Sequence, residues 1–398
     1  MSWEKVRLGD VTDSCLGKML DQEKNRGDYH PYLANIHVRW GSFDLENLPQ
    51  MRFEDDEQER YGLKYGDLII CEGGEPGRCA IWKDAIPNMK IQKALHRVRV
   101  HDCLDYRYLF YWFLWAGKRG ALEQYFTGAT IKHMPGQKLK NVMIDKPPIE
   151  TQRRIADILS AYDDLIENNR KQIKLLEEAA QRLYKEWFVD LRFPGHEHTK
   201  IVDGVPEGWE KRTVSNVLSV LRRGISPKYN NQADFMVINQ KCIRHTVVTF
   251  DEARKQEKRF TKEMSLQDGD VVICSTGAGT LGRVGQIFGD YPRTTFDSHV
   301  TLVRANPYIG AQYLFHFLKS RQEYLMGMGK GSTNQLELGR DTLKDLGILI
   351  PTKEIRKGFE MLTQPVHDKI GVVNFQIDYL VQARDRLLPK LMSGEVEV

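Results

Sequence analysis

Gln172-Ile173-Lys174-Leu175-Leu176-Glu177-Glu178-Ala179-Ala180-Gln181-Arg182-Leu183 is answered 204 residues later by Gln376-Ile377-Asp378-Tyr379-Leu380-Val381-Gln382-Ala383-Arg384-Asp385-Arg386-Leu387, with six of the twelve positions identical. The correspondence extends outward. Trp3-Glu4-Lys5 returns as Trp209-Glu210-Lys211, and Gly66-Asp67-Leu68-Ile69-Ile70-Cys71 as Gly269-Asp270-Val271-Val272-Ile273-Cys274. Tyr108-Leu109-Phe110 returns as Tyr313-Leu314-Phe315, and Gly128-Ala129-Thr130 as Gly331-Ser332-Thr333. An ordered series at a nearly constant offset is a duplication, here of a unit of about 200 residues.

The end of each unit is helical. Ile155, Leu159, Tyr162, Ile166, Asn169, Ile173, Leu176, Ala180, Leu183 and Trp187 are spaced 4-3-4-3, the seam of a coiled coil with one polar break. Val366, Ile370, Val373, Ile377, Leu380, Leu387 and Leu391 repeat that seam, interrupted by Arg384, and Pro365 predicts that the second long helix starts there. About 35 helical residues would span roughly 50 Å. Each helix exposes one apolar stripe and needs a partner; the simplest is the other helix, packed antiparallel.

The rest of each unit mixes strand-like runs with turns. Asp67–Cys71, Ala94–Val100, Val271–Cys274 and His299–Val303 suit strands, while Trp112, Phe113, Phe315 and Phe317 sit on short helices as core aromatics. The fold class is therefore α+β: two globular domains in pseudo-twofold repeat, separated by two long helices. The boundaries are 1–147, a helical region at 148–190, a linker at 191–206, 207–351, and a helical region at 352–398. A chain of 398 residues with 41% hydrophobic and 28% charged residues supports two or three folded units. No run is apolar enough for a membrane span, and the N-terminus lacks a signal peptide's apolar stretch. Six scattered cysteines with no C-x-x-C pair suit reduced thiols in the cytoplasm and give no zinc site. A net charge of +4 permits nucleic-acid binding without arguing for it.

Lys146-Pro147-Pro148-Ile149-Glu150-Thr151-Gln152-Arg153-Arg154-Ile155-Ala156 resembles the start of the conserved helix in specificity subunits of type I restriction-modification enzymes. Trp187-Phe188-Val189-Asp190-Leu191-Arg192-Phe193-Pro194-Gly195 resembles that helix's end. Pro206-Glu207-Gly208-Trp209 and Leu388-Pro389-Lys390-Leu391-Met392-Ser393-Gly394-Glu395 resemble the start of the family's second recognition domain and its C-terminal signature. The second helix start, Pro351-Thr352-Lys353-Glu354-Ile355-Arg356, departs by losing the second proline and the glutamine. The resemblance implies a non-catalytic subunit whose two recognition domains each read one half of a split, asymmetric site in double-stranded DNA. It also implies helices that set the spacing and dock two copies of the modification subunit, an adenine methyltransferase. That partner, not this chain, would hold S-adenosylmethionine, and restriction subunits would join the full complex. A 50 Å rod could place two domains about one DNA turn apart. The alternative is a coiled-coil scaffold for protein partners with no DNA role.

Signals for an enzyme are weak. Gly277-Ala278-Gly279-Thr280-Leu281-Gly282 spells G-x-G-x-x-G, but the following residues look like a strand, and the repeat counterpart carries Pro76 where a phosphate cradle needs an amide. Asn306-Pro307-Tyr308 lacks the second proline of an adenine methyltransferase turn. His196-Glu197-His198 lacks a third metal ligand. No catalytic residue, metal site or cofactor is expected. Candidate DNA contacts are residues with paired donors or acceptors in turn-rich segments. In the first domain they are Asn35, His37, Arg39, Lys90, Gln92, Lys93, Thr130 and Lys132. In the second they are Arg222, Arg223, Lys228, Asn239, Lys241, Arg293, Ser298, His299, Thr333 and Asn334. The expected subunit-interface helices are marked by Ile155, Leu159, Tyr162, Ile166, Ile173, Leu176, Leu183, Val373, Ile377, Leu380 and Leu387.

Overall fold

The computed structural model describes residues 3–21, 25–277, 279–329 and 336–398. Two compact units emerge, one made of residues 1–167 with 378–398, the other of residues 168–377. The division passes through both long helices, Ile149–Tyr184 and Lys353–Met392, so each unit owns the start of one and the end of the other.

In the first unit, the apolar run Leu68–Cys71 is buried at every residue because its sheet is covered on both faces. The antiparallel order is Thr12–Leu16, Leu95–Val100, Leu68–Cys71, Cys79–Ile81. Successive side chains point to opposite faces. Leu68, Ile70 and Val98 enter a core shared with the helix Tyr106–Lys118, while Ile69, Cys71 and Leu95 enter a second core with Trp82, Met89 and Ile91. A smaller sheet places Asp28–Leu33 between an antiparallel neighbour, Gln50–Phe53, and a parallel one, Lys90–Ile91. Asp105 caps the helix by accepting from the backbone N–H of Arg107 and Tyr108 at 2.8 and 3.1 Å. Trp112 and Phe113 on that helix are buried, as expected.

The second unit repeats this plan. Its four-stranded order is Leu218–Arg223, Val300–Ala305, Val271–Cys274, Val284–Gln286. Phe235–Ile238 lies between antiparallel Arg254–Gln256 and parallel Thr294–Phe296, matching the smaller sheet of the first unit. The same alternation operates, with Val271 and Ile273 in one core and Val272 and Cys274 in the other. Phe315 and Phe317 of the helix Ala311–Ser320 are buried.

Even an ion pair is repeated. Arg99 grips the buried Asp67 through Nε and Nη2, both at 2.7 Å, and Arg304 grips the buried Asp270 at 2.6 and 2.8 Å. Burial raises the Asp270 pKa, and the Arg304 hydrogen bonds pull it back.

Within each unit the two helix segments run antiparallel. In the first, Ile155 and Leu159 share a core with Leu388 and Leu391, and Arg384 reaches the carboxylate of Asp163. The seam's charged interruption is thus paired. In the second, Tyr184 meets Phe359 edge-on and Trp187 meets it at a tilt, with ring centroids 6.1 and 6.0 Å apart. The seam is real: Ile166 and Ile173 are buried, as are Val373 and Ile377, while Tyr162, Leu176, Leu183, Leu380 and Leu387 are half-buried. These side chains are covered, fully or in part, by the chain itself. The exposed apolar residues lie between them: Leu165 and Tyr379 in the first unit, Leu175, Met361, Leu362 and Val372 in the second.

One expectation fails. The second long helix does not begin at Pro365 but runs unbroken from Lys353 to Met392. Pro365 is exposed, on the same side as Met361 four residues earlier, so the carbonyl that loses its donor faces water. Phe359 and Thr363, both buried, hold the helix against the core on the other side. Among the described residues no helix is long and apolar enough to cross a membrane.

Candidate nucleic-acid interface

The central strand of each small sheet ends in an extended residue followed by a 3-10 turn. In the first unit Ala34 leads into Asn35–His37; in the second Asn239 leads into Gln240–Cys242. Each turn is fixed in the same two ways. Its first carbonyl, on Asn35 or Gln240, lies 3.9 Å from the thiol of Cys71 or Cys274. Its third residue is buried: His37, whose Nδ1 accepts from the Ala34 N–H at 2.9 Å, or Cys242.

A glycine-bearing loop lies against each turn. Gly74 has φ +77, and a Cβ there would meet Asn35 Nδ2 at 3.1 Å. Gly277 has φ +104, and a Cβ there would sit 2.5 Å from Gln240 Oε1. The G-x-G-x-x-G stretch is therefore a strand-to-strand turn, joining Val271–Cys274 to Val284–Gln286. A third segment bridges to each loop, His133 to Gly73 and Glu337 to Thr276. In the first unit this segment is a tight hairpin, closed by Thr127 and His133, whose backbone N–H groups donate to each other's carbonyl at 2.7 and 2.8 Å. Trp40 Nε1 and Arg78 Nη1 both donate to Glu75, at 2.8 and 2.9 Å, and a cleft of about 590 Å³ lies between the glycine loop, the hairpin, Trp40 and the end of the helix Tyr106–Lys118.

The expected contact residues sort by burial. Arg39, Lys93, Thr130 and Lys132 are exposed in the first unit, with Asn35 and Gln92 half-buried beside them. Arg39 is folded back on the carbonyls of Ile36 and Val38. Two expected contacts are corrected. His37 is spent holding the turn. Lys90 is 4% exposed, its ammonium donates to Gln58 O, and burial lowers its pKa.

In the second unit Arg222, Lys228, Lys241, Arg293 and His299 are exposed, and Asn239 and Ser298 are half-buried. Asn239 caps its turn, accepting from Lys241 N at 2.8 Å and donating to Glu252 O at 2.7 Å. Lys228 pairs with Glu257, Arg293 with Asp234 at 3.9 Å, and His299 Nδ1 meets Thr276 Oγ1 at 2.6 Å. Arg222 and Arg223, adjacent in a strand, point to opposite faces. Arg222 donates to Glu263 at 2.6 Å, whereas Arg223 pairs with Glu337 and donates to Leu338 O at 2.8 Å. They do not form one basic site. Thr333 and Asn334 lie outside the described residues.

His196 Nδ1 lies 2.9 Å from Phe193 O, and the six cysteines are free thiols. Among the described residues no group of three or more His, Cys, Asp or Glu side chains is placed to hold a metal. The sequence reading left out Ile36, which alternates with polar residues in Asn35–Arg39 and stands 65% exposed at the tip of the turn.

A family model described as the type I restriction modification DNA specificity domain matches twice, at residues 1–178 and 206–366. The MjaIX specificity subunit of Methanocaldococcus jannaschii is 26% identical over 347 residues, covering 84% of this chain and 78% of the relative. The MjaVIII specificity subunit of the same organism is 25% identical over 422 residues, covering 100% and 93%. The crystal structure of the type I restriction-modification S subunit from M. genitalium superposes with a TM-score of 0.57 at 17% identity, covering 98% and 96% of the two chains, which shows a shared fold. With both halves matched by the family model, the chain belongs to the family of type I restriction-modification DNA specificity subunits.

Proposed function

We propose that this chain is the non-catalytic DNA reader of a type I restriction-modification complex, with each unit reading one half of a bipartite, asymmetric site. The observation that carries the reading is the repeated loop platform. Both units hold a 3-10 turn, a glycine loop and a bridging segment on the same frame, yet present different side chains from it. A single platform used twice with different chemistry suits two different half-sites, whereas two identical readers would demand a palindrome. The relatives' names, all specificity subunits of type I restriction enzymes, support the same reading.

In this reading the two helices join the readers and dock two copies of the modification subunit in the cytoplasm. Each unit would offer its own exposed helix residues, Tyr379 in the first and Leu175, Met361 and Val372 in the second, because the seam residues are used within the chain. S-adenosylmethionine and the methyl transfer belong to that partner. A protein-only scaffold is the reading the family match does not favour.

The test is a binding titration of the chain assembled with its modification subunit on random duplexes and on genomic fragments. Affinity that falls linearly in log–log with salt, and a subset of fragments held at salt concentrations that release the rest, support the reading. Equal, weak binding to all fragments overturns it. Equilibrium dialysis of the chain alone with S-adenosylmethionine should show no binding.

A further inference from the structure

We propose that the tip residue of the repeated 3-10 turn, Ile36 in the first unit and Lys241 in the second, reads a base pair in each half-site. Ile36 would contact a thymine methyl group and Lys241 a guanine. This rests on the DNA-reading function proposed above and names the residues that set its specificity.

The two residues are counterparts in the repeat, 205 positions apart. Each turn is pinned on both sides of its tip. The preceding carbonyl sits over a buried cysteine, and the following residue, His37 or Cys242, is buried at 7% or 0% exposure. A strand paired on both edges feeds each turn. The tip therefore stands on rigid support, the condition for a side chain that must meet one base edge with small tolerance.

What differs is the tip itself. Ile36 leaves a β-branched apolar side chain 65% exposed among Asn35, His37 and Arg39. Among the described residues nothing in the first unit covers it, so its exposure costs hydrophobic free energy unless another surface arrives. The thymine C5-methyl is the one apolar feature of the major-groove edge and the natural partner of such a side chain. Lys241 is exposed, and among the described residues it has no acidic partner, unlike Lys228, Arg222 and Arg293 of the same unit. A free ammonium on a fixed turn donates best to the paired O6 and N7 acceptors of guanine. Because neither side chain supports the fold, exchange at these tips changes preference without changing the platform.

The experiment is genome-wide mapping of methylated adenines in a host without other adenine methylation, co-expressing the modification subunit with wild-type chain, Ile36→Ala, Ile36→Lys or Lys241→Ala. With Ile36→Ala, the preference for an A·T pair at one position of one half-site should fall by about tenfold, the other half-site being unchanged. Ile36→Lys should move that same position toward guanine, and Lys241→Ala should relax a guanine in the other half-site. Variant motifs identical to the wild-type motif at every position would overturn the proposal while leaving the DNA-reading function intact. So would loss of all modification by both Ile36 variants in chains that still assemble and bind DNA. A wild-type arm with no motif, or with the same motif when the chain is omitted, would instead overturn the function itself.

Discussion

Gln152 and Arg356 occupy the same position at two helix starts, and both donate to the carbonyl of a proline five residues earlier, Pro147 at 2.8 Å and Pro351 at 3.0 Å. Gln152 also donates to Cys103 O at 3.2 Å and accepts from Asp105 N at 2.9 Å, tying the helix start to the cap of its neighbour. Arg356 reaches Tyr308 O instead and lays its guanidinium 3.9 Å from the Tyr308 ring centre. The Asp105 role passes to Glu360, whose carboxylate accepts from Tyr313 N at 2.9 Å. The second helix start, which departs from the family pattern in sequence, therefore keeps the junction by other donors.

Gln152→Ala should leave the buried Pro147 carbonyl unpaired, release the part-buried backbone groups of Cys103 and Asp105, and lower stability by about 1–3 kcal/mol. Urea denaturation followed by tryptophan fluorescence measures it. A loss under about 0.5 kcal/mol would show that the junction does not depend on this side chain.

Arg99→Ala and Arg304→Ala each strand an aspartate that is 1% exposed. Removing one partner of such a buried pair costs about 3–5 kcal/mol. The loss should be larger for Arg304→Ala, because that guanidinium also donates to Glu263 O and Ser265 O, and thermal melting of the two variants compares them directly.

Glu177 lines a cavity of about 210 Å³ in the second unit, with Thr246, His316 and Lys319. Burial pushes its pKa up from 4.5 to about 7, against the pull of Lys319 and the Thr246 hydroxyl. An acid with a raised folded pKa holds extra protons in the folded state, so stability falls as pH rises from about 4.5 to about 7 and stays lower above. Glu177→Gln should remove this slope and raise stability at pH 8, relative to wild type, by on the order of 1–3 kcal/mol. Denaturant midpoints at pH 5 and pH 8 check the sign; a variant with an unchanged slope contradicts it.

Arg222 and Arg223 should separate in experiment. Arg222 is half exposed, so Arg222→Ala should leave folding intact and reduce the salt slope of DNA binding by about one. Arg223 anchors Leu338 and Glu337, so Arg223→Ala should lower the melting temperature first. Identical behaviour of the two variants contradicts the strand geometry.

The duplication, the apolar strands and the helix seams were legible because each is written in the sequence, as an ordered repeat, a short apolar run between turns and a 4-3 spacing. Pro365 misled because a proline's cost depends on which way the orphaned carbonyl faces, and here it faces water. His37 and Lys90 were misjudged for a common reason. Composition marks the segments rich in hydrogen-bonding side chains, but the same donors that read bases also brace turns, and only packing separates the two uses. Ile36 escaped notice because an apolar residue that alternates with polar ones reads as core until its exposure is seen.

The central claim, that two diverged units on one frame read two different half-sites, meets its most direct test in the adenine methylation map of cells producing the modification subunit with and without this chain. A split, asymmetric motif that appears only when the chain is present is the expected result. A palindromic motif, or the same methylated adenines in its absence, would contradict it.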